Sequence, residues 1–146
     1  MTDCVFCDIV AGQCPSSRIY EDDRVLALLT IGPVNPGHAM VIPKTHATYM
    51  KEMDEETGAH LFRITMRVAQ AIRESGVKYE GINLFLADGE AAFQEVFDLH
   101  MHVFPRYAGD PFQVDANWDN KPDRDELDRI AAKIADSYKN LWSEVS

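Results

Sequence analysis

Apolar positions change their period along the chain, and each change marks an element. Cys4 and Cys7 frame two apolar residues, and Asp8-Ile9-Val10 leads to Gly12, which predicts a short helical turn ending near that glycine. Arg18-Ile-Tyr20 reads as a short strand, Glu21-Asp22-Asp23 as a turn, and Val25 to Leu29 as a second strand, together a hairpin. Pro33, Pro36 and Gly37 break the chain. His38 to Ile42 is a compact apolar strand that Pro43 either ends or places at an edge. From residue 54 to 74 the period lengthens: Leu61, Ile64, Val68 and Ile72 recur at three or four residues, the buried stripe of a helix. Asp54 suits its N-cap, Glu55 and Glu56 suit its positive end, and Gly76 lies just past its C-terminus.

Ile82 to Leu86 returns to a strand pattern. Residues 87–96 form a loop bending at Gly89, and Leu99 to Phe104 is a last strand closed by Pro105. Beyond Pro111 the chain turns polar until Pro122, which precedes a second amphipathic helix. Its stripe of Leu127, Ile130, Ile134, Tyr138 and Leu141 is expected to dock on the main body. No repeat is visible. Strand pairs, then a helix, then further strands lack the regular alternation of a parallel doubly wound sheet, so the class is α+β. The division expected is a domain over 1–110 and an extension over 111–146.

Composition narrows the setting. A chain of 146 residues suits one domain with a true core. Its 14 Lys+Arg against 24 Asp+Glu leave a net charge of -10, which disfavours a nucleic-acid partner but not a small anion held locally. No apolar run approaches the roughly 20 residues of a membrane span. Residues 1–15 lack the basic start and apolar core of a secretory signal. Three cysteines do not make a disulfide framework, so a reducing cytoplasmic location is expected.

Chemistry concentrates in Gln94-Glu-Val-Phe-Asp98-Leu-His100-Met-His102-Val-Phe-Pro105. In a strand, Asp98, His100 and His102 share one face, while Leu99, Met101 and Val103 share the other and enter the core. That polar face fits a metal or catalytic cluster, or a solvated face with incidental histidines. His38 alone can also be read as a core histidine satisfied by a backbone carbonyl, His46 alone is more often a surface histidine than a ligand, and His60 carries no assigned chemistry. Cys4-x-x-Cys7 can wrap a metal, act as a redox pair, or be two inert thiols. A metal would need two more ligands, for which His46 and Asp98 are the candidates. Cys14 is a spectator.

These motifs, in order, resemble the histidine triad family of nucleotide hydrolases and transferases. The likeness runs through Cys4-Val-Phe-Cys7, Tyr20-Glu-Asp-Asp23, Pro36-Gly-His38-Ala-Met-Val-Ile-Pro-Lys-Thr-His46, Asp88-Gly-Glu-Ala-Ala-Phe-Gln94 and His100-Met-His102-Val-Phe-Pro-Arg106. It implies an antiparallel sheet with one long helix, paired as a homodimer, acting on a purine nucleotide or nucleotide conjugate. It implies that His100 attacks phosphorus, forming a nucleotidyl-histidine that water releases, while His38, His102 and Gln94 support the phosphate and leaving group.

Three positions depart from the family pattern. Asp98 stands in the first triad position; with Cys4, Cys7 and His46 it completes a set able to hold a structural zinc. Thr30 replaces an aspartate that grips ribose. In the phosphate loop, Ala87 replaces asparagine and Phe93 replaces glycine. Thr30, Ala87, Phe93 and His102 are thus the expected nucleotide contacts. Cleavage of a phosphoanhydride or phosphoramidate is the leading expectation. The alternatives are a nucleotide-binding or regulatory protein with weak turnover and, more distantly, a redox protein.

Overall fold

The computed structural model describes residues 3–142. Two compact units divide it, Met1–Phe112 and Gln113–Ser146. The first contains helix α1 (Val5–Val10), strands β1 (Arg18–Glu21), β2 (Val25–Leu29) and β3 (Ala39–Pro43), helix α2 (Glu55–Glu74), and strands β4 (Gly81–Phe85) and β5 (Met101–Arg106). Single 3-10 turns at Met50–Glu52 and Glu90–Ala92 punctuate the connections. The strands form one antiparallel sheet in the order β1-β2-β3-β5-β4. The second unit contributes helix α3 (Arg124–Trp142), whose Asp123 carboxylate accepts from the Glu126 amide at 2.8 Å.

Both faces of the central strands are covered, so β2 and β3 read as continuous apolar runs rather than alternations. Val25, Ala27, Val41 and Val103 turn toward Leu61, Ile64, Val68 and Ile72 of α2. Leu26, Leu28, Met40 and Ile42 turn the other way and pack with Phe6 of α1. Helix α2 begins as its sequence requires: Asp54 accepts from the Thr57 amide at 2.9 Å, satisfying a donor that the first turn leaves open.

Several boundaries differ from expectation. Pro43 is the last residue of an interior strand and is fully buried, so it ends β3 without marking a sheet edge. β4 starts and stops one residue early. β5 starts at Met101 and continues through Pro105, which opposes Ile82. Asp98, Leu99 and His100 therefore lie before the strand. Their backbone follows a bend in which the Leu99 amide donates to the Ala47 carbonyl at 2.8 Å. Pro105 is tolerated inside β5 because a strand residue can lack an amide where the ladder does not need one. Its carbonyl still accepts from Asn35 Nδ2 at 2.9 Å.

Candidate active site and metal centre

The catalytic candidates are held by a sharp turn and by two adjacent strands. Gly37 takes φ +91°, and a Cβ there would meet Val77 Cγ1 at 2.7 Å, so both backbone hand and space call for glycine. The turn sends His38 into the sheet just before β3, where it is buried. Met40 opposes His102 across the β3-β5 ladder, which brings the His38 and His102 rings together.

Hydrogen bonds assign each imidazole its tautomer. The Val34 amide donates to His38 Nδ1 at 3.1 Å, so His38 carries its proton on Nε2. That Nε2–H donates to His102 Nδ1 at 2.8 Å, leaving the single ring proton of His102 on Nε2. His100 Nδ1 lies 2.8 Å from the Asp98 carbonyl, which can only accept, so His100 Nδ1 is protonated and its Nε2 keeps a lone pair. Burial pushes His38 down to about 4, and burial with the neighbouring His100 and His38 does the same to His102. Both are neutral at pH 7, as the chain of bonds requires. The His100 and His102 rings meet edge to face at 4.7 Å, and Phe6 packs edge-on to His100 at 4.9 Å.

His100 and His102 line a cavity of about 540 Å³ on the α1 side of the sheet. Thr30, Ala87, Phe93 and Gln94 line it as well, so these sequence-predicted contacts converge there. His38 supports it from behind through His102. Gln94 is buried, and its amide is committed to backbone. Its Oε1 accepts from the Gly89 amide at 2.8 Å, and its Nε2 donates to the Thr48 carbonyl at 2.8 Å and the Val96 carbonyl at 3.3 Å. Its evident work is to hold the 87–97 loop against the wall. Phe93 is 79% exposed with φ 69°, a left-handed conformation that costs a non-glycine residue about 1–2 kcal/mol. Sequence reasoning missed the apolar lining, notably Phe6, Ile9, Ile31 and Phe85. Ile31 is entirely exposed beside Thr30, yet one isoleucine after a strand carries no signal until the cavity is seen.

A second constellation lies beside the first. Cys4, Cys7, His46 and Asp98 present ligand atoms all within 4.8 Å of one another. Cys4 Sγ lies 3.3 Å from Asp98 Oδ2, Cys7 Sγ 3.2 Å from His46 Nδ1, and His46 Nδ1 3.3 Å from the same carboxylate oxygen. Ligands arranged tetrahedrally around zinc, at its usual bond lengths, stand about 3.3–3.8 Å apart. The donor set fits that ion in kind and spacing. Burial, the hydrogen bond that the Cys7 S–H makes to Cys4, the charge of Cys4 and the nearby Asp98 carboxylate push the Cys7 thiol up to about 12. Anionic ligands crowded together resist ionisation unless a cation joins them. His60, left without chemistry, ties Asp22 of the β1-β2 turn to α2 at 2.6 Å. Cys14 proves to line the cavity.

Comparison with known proteins now decides the family. The HIT domain family model matches residues 11–109. This chain belongs to the HIT family. Among relatives of this HIT protein, protein hit of Bacillus subtilis is 42% identical over 140 residues, covering 90% of this chain and 92% of that one. The adenosine 5'-monophosphoramidase hnt1 of Schizosaccharomyces pombe is 31% identical, covering 93% and 98%. A HIT family protein from Bacillus anthracis has the same fold, with TM-score 0.85, 39% identity and coverage of 92% and 96%. A zinc-bound histidine triad protein from Mycobacterium smegmatis superposes at TM-score 0.71, with 43% identity and coverage of 93% and 97%.

Proposed function

We propose that this HIT protein is a nucleotidyl hydrolase or transferase that cleaves a nucleoside phosphoanhydride or phosphoramidate through a covalent intermediate on His100. The observation that carries this reading is the fixed tautomer of His100, whose Nε2 lone pair belongs to a ring lining the cavity. In the reaction, Nε2 attacks the phosphorus attached to the nucleoside. The bond to the leaving group breaks, and that group departs with the electron pair and takes a proton from solvent. Water then attacks the phosphorus, the pair returns to Nε2, and nucleoside monophosphate is released with a proton. Nδ1 keeps its proton throughout, bound to the Asp98 carbonyl. The His102 Nε2–H serves as the donor that offsets charge growing on the phosphoryl oxygens. A phosphoramidase among the relatives supports this class of reaction.

The test is rapid mixing with adenosine 5'-phosphoramidate, followed by mass measurement of the denatured chain. A nucleotidyl adduct on His100 is expected, and His100→Ala should lose turnover by roughly 10³-fold or more. Tight nucleotide binding without adduct or turnover would favour the regulatory reading, to which the strained and exposed Phe93 at the cavity gives some support.

The same reading includes a structural zinc on Cys4, Cys7, His46 and Asp98, supported by their spacing. Zinc would tie α1 to the bend before β5. It would thereby fix the Asp98 carbonyl that orients His100, with no ligand position left for water. The reading also includes a homodimer. β4 is an edge strand, Leu84 and Phe85 on it are exposed, and so are Phe62 and Met66 of α2. An unprotected apolar edge favours pairing with a second copy about a two-fold axis. Three cysteines, none of them in a disulfide, support a cytoplasmic location. Among the described residues, no helix is long and apolar enough to cross a membrane.

A further inference from the structure

The charge of the His100 cavity is unusual for a site reading phosphates. Among the described residues that line it, none is lysine or arginine. Its two lining histidines are His100 and His102, and burial keeps His102 neutral. One lining residue bears a full charge of its own, and it is acidic: Glu95. Glu95 is exposed and also lines the neighbouring cleft, together with Asp3, Cys4, Cys7 and His46. Zinc held by two thiolates and a carboxylate is formally anionic, so filling that site supplies no missing cation.

A leaving group on the Glu95 side of the reacting phosphorus therefore meets a carboxylate. The one phosphoryl group under attack can be served by the His102 Nε2–H. A chain of further phosphates would bring several more negative charges to a wall whose described residues include no lysine or arginine. Discrimination can be achieved by repulsion of the wrong partner as well as by attraction of the right one. A cavity with low-dielectric walls focuses the field of a single charge onto what it holds.

We propose that Glu95 is a specificity-determining residue that selects the leaving group by charge, favouring amines that carry a second positive charge and rejecting polyphosphates. This rests on the nucleotidyl-transfer reading of His100. It narrows that reading to phosphoramidates: the P–N bond breaks, the amine leaves with the pair and takes a proton from solvent, and the nucleotidyl group stays on Nε2.

The experiment compares kcat/KM for three adenosine 5'-phosphoramidates and for diadenosine tetraphosphate. The three leaving amines are a diamine, a neutral alkyl amine of equal length, and an ω-amino acid. The native chain should prefer diamine over amino acid by about tenfold, and that ratio should shrink as salt is raised. Glu95→Gln should bring the ratio close to one, and Glu95→Lys should invert it and raise tetraphosphate cleavage. Both variants are checked for native melting temperature, and each ratio is internal to one protein, so general loss of activity cancels. A ratio unchanged in both variants, with turnover still requiring His100, overturns the role of Glu95 alone. No His100-dependent turnover of any of the four compounds overturns the reaction itself and the charge selection with it.

Discussion

His38 Nε2 stands 2.8 Å from His102 Nδ1, and that bond decides which nitrogen of His102 carries the proton. The information starts at a backbone amide, Val34, which cannot change its role. It passes through two neutral rings and ends as an N–H donor. On the other side of the site, the Asp98 carbonyl fixes His100 in the opposite sense, lone pair outward. Two backbone groups thus hold one ring with an N–H on its Nε2 and its neighbour with a lone pair there, the state the proposed nucleophile needs.

His38→Asn should therefore lower kcat more than it raises KM. The loss expected is about 10- to 100-fold, because His102 is then free to adopt either tautomer. Steady-state kinetics on adenosine phosphoramidate would check this. An effect confined to KM would mean that His38 acts on binding alone.

The same two histidines make stability depend on pH. Each titrates at about 4 when folded against an ordinary 6.5, so the unfolded chain binds more protons between those values. Stability is fully present above pH 6.5 and falls as pH drops toward 4, below which this contribution levels off. Urea midpoints at pH 7, 5.5 and 4.5 should decline in that order. His38→Phe should flatten the slope.

Phe93 bears the one positive φ among the described non-glycine residues, and its ring is largely in solvent. Little burial is lost on removing it. Phe93→Gly should raise unfolding free energy by about 0.5–1 kcal/mol by relieving the left-handed backbone. Thermal melting reads that gain, and an unchanged or lower midpoint would show that the ring's contacts outweigh the strain.

Gln94→Ala should do the reverse. It strands the Gly89 amide and the Thr48 and Val96 carbonyls that the side chain serves. A loss of about 2 kcal/mol is expected, together with weaker turnover as the loop loosens. Urea unfolding gives the first quantity. Gln94→Glu keeps the acceptor for Gly89 but sets a buried carboxylate against the Thr48 and Val96 carbonyls, so at neutral pH it should lose at least as much stability as Gln94→Ala.

Metal content should be about one zinc per chain, lost in Asp98→Ala and retained in Asp98→His, because imidazole is as good a ligand as carboxylate. Chelation of the native protein should lower its melting temperature, since the ion would bridge α1 and the bend at Asp98. Elemental analysis showing zinc equally in the native protein and in Asp98→Ala would remove Asp98 from the ligand set.

Much of this site was legible because local pattern and local chemistry agree. The α2 stripe, its Asp54 cap and the paired apolar strands follow from short-range periodicity, which survives whatever packs on it. The candidate ligands stood out because cysteine, histidine and aspartate are the side chains that bind metals or move protons. The bend before β5 was not legible. Alternation predicts a strand from Leu99, but the backbone there turns away to pair with Ala47 and to lend the Asp98 carbonyl to His100. Nor could sequence tell that Gln94 spends its amide on the loop, that Cys14 faces the cavity, or that Glu95 is the one carboxylate among the described residues of its wall. Those facts depend on which chain segments meet across long separations. Periodicity in the sequence determined the elements and the inventory of reactive groups; tertiary packing alone decided which atom of each group is free, because a side chain's last hydrogen bond is made to a partner that lies elsewhere in the chain.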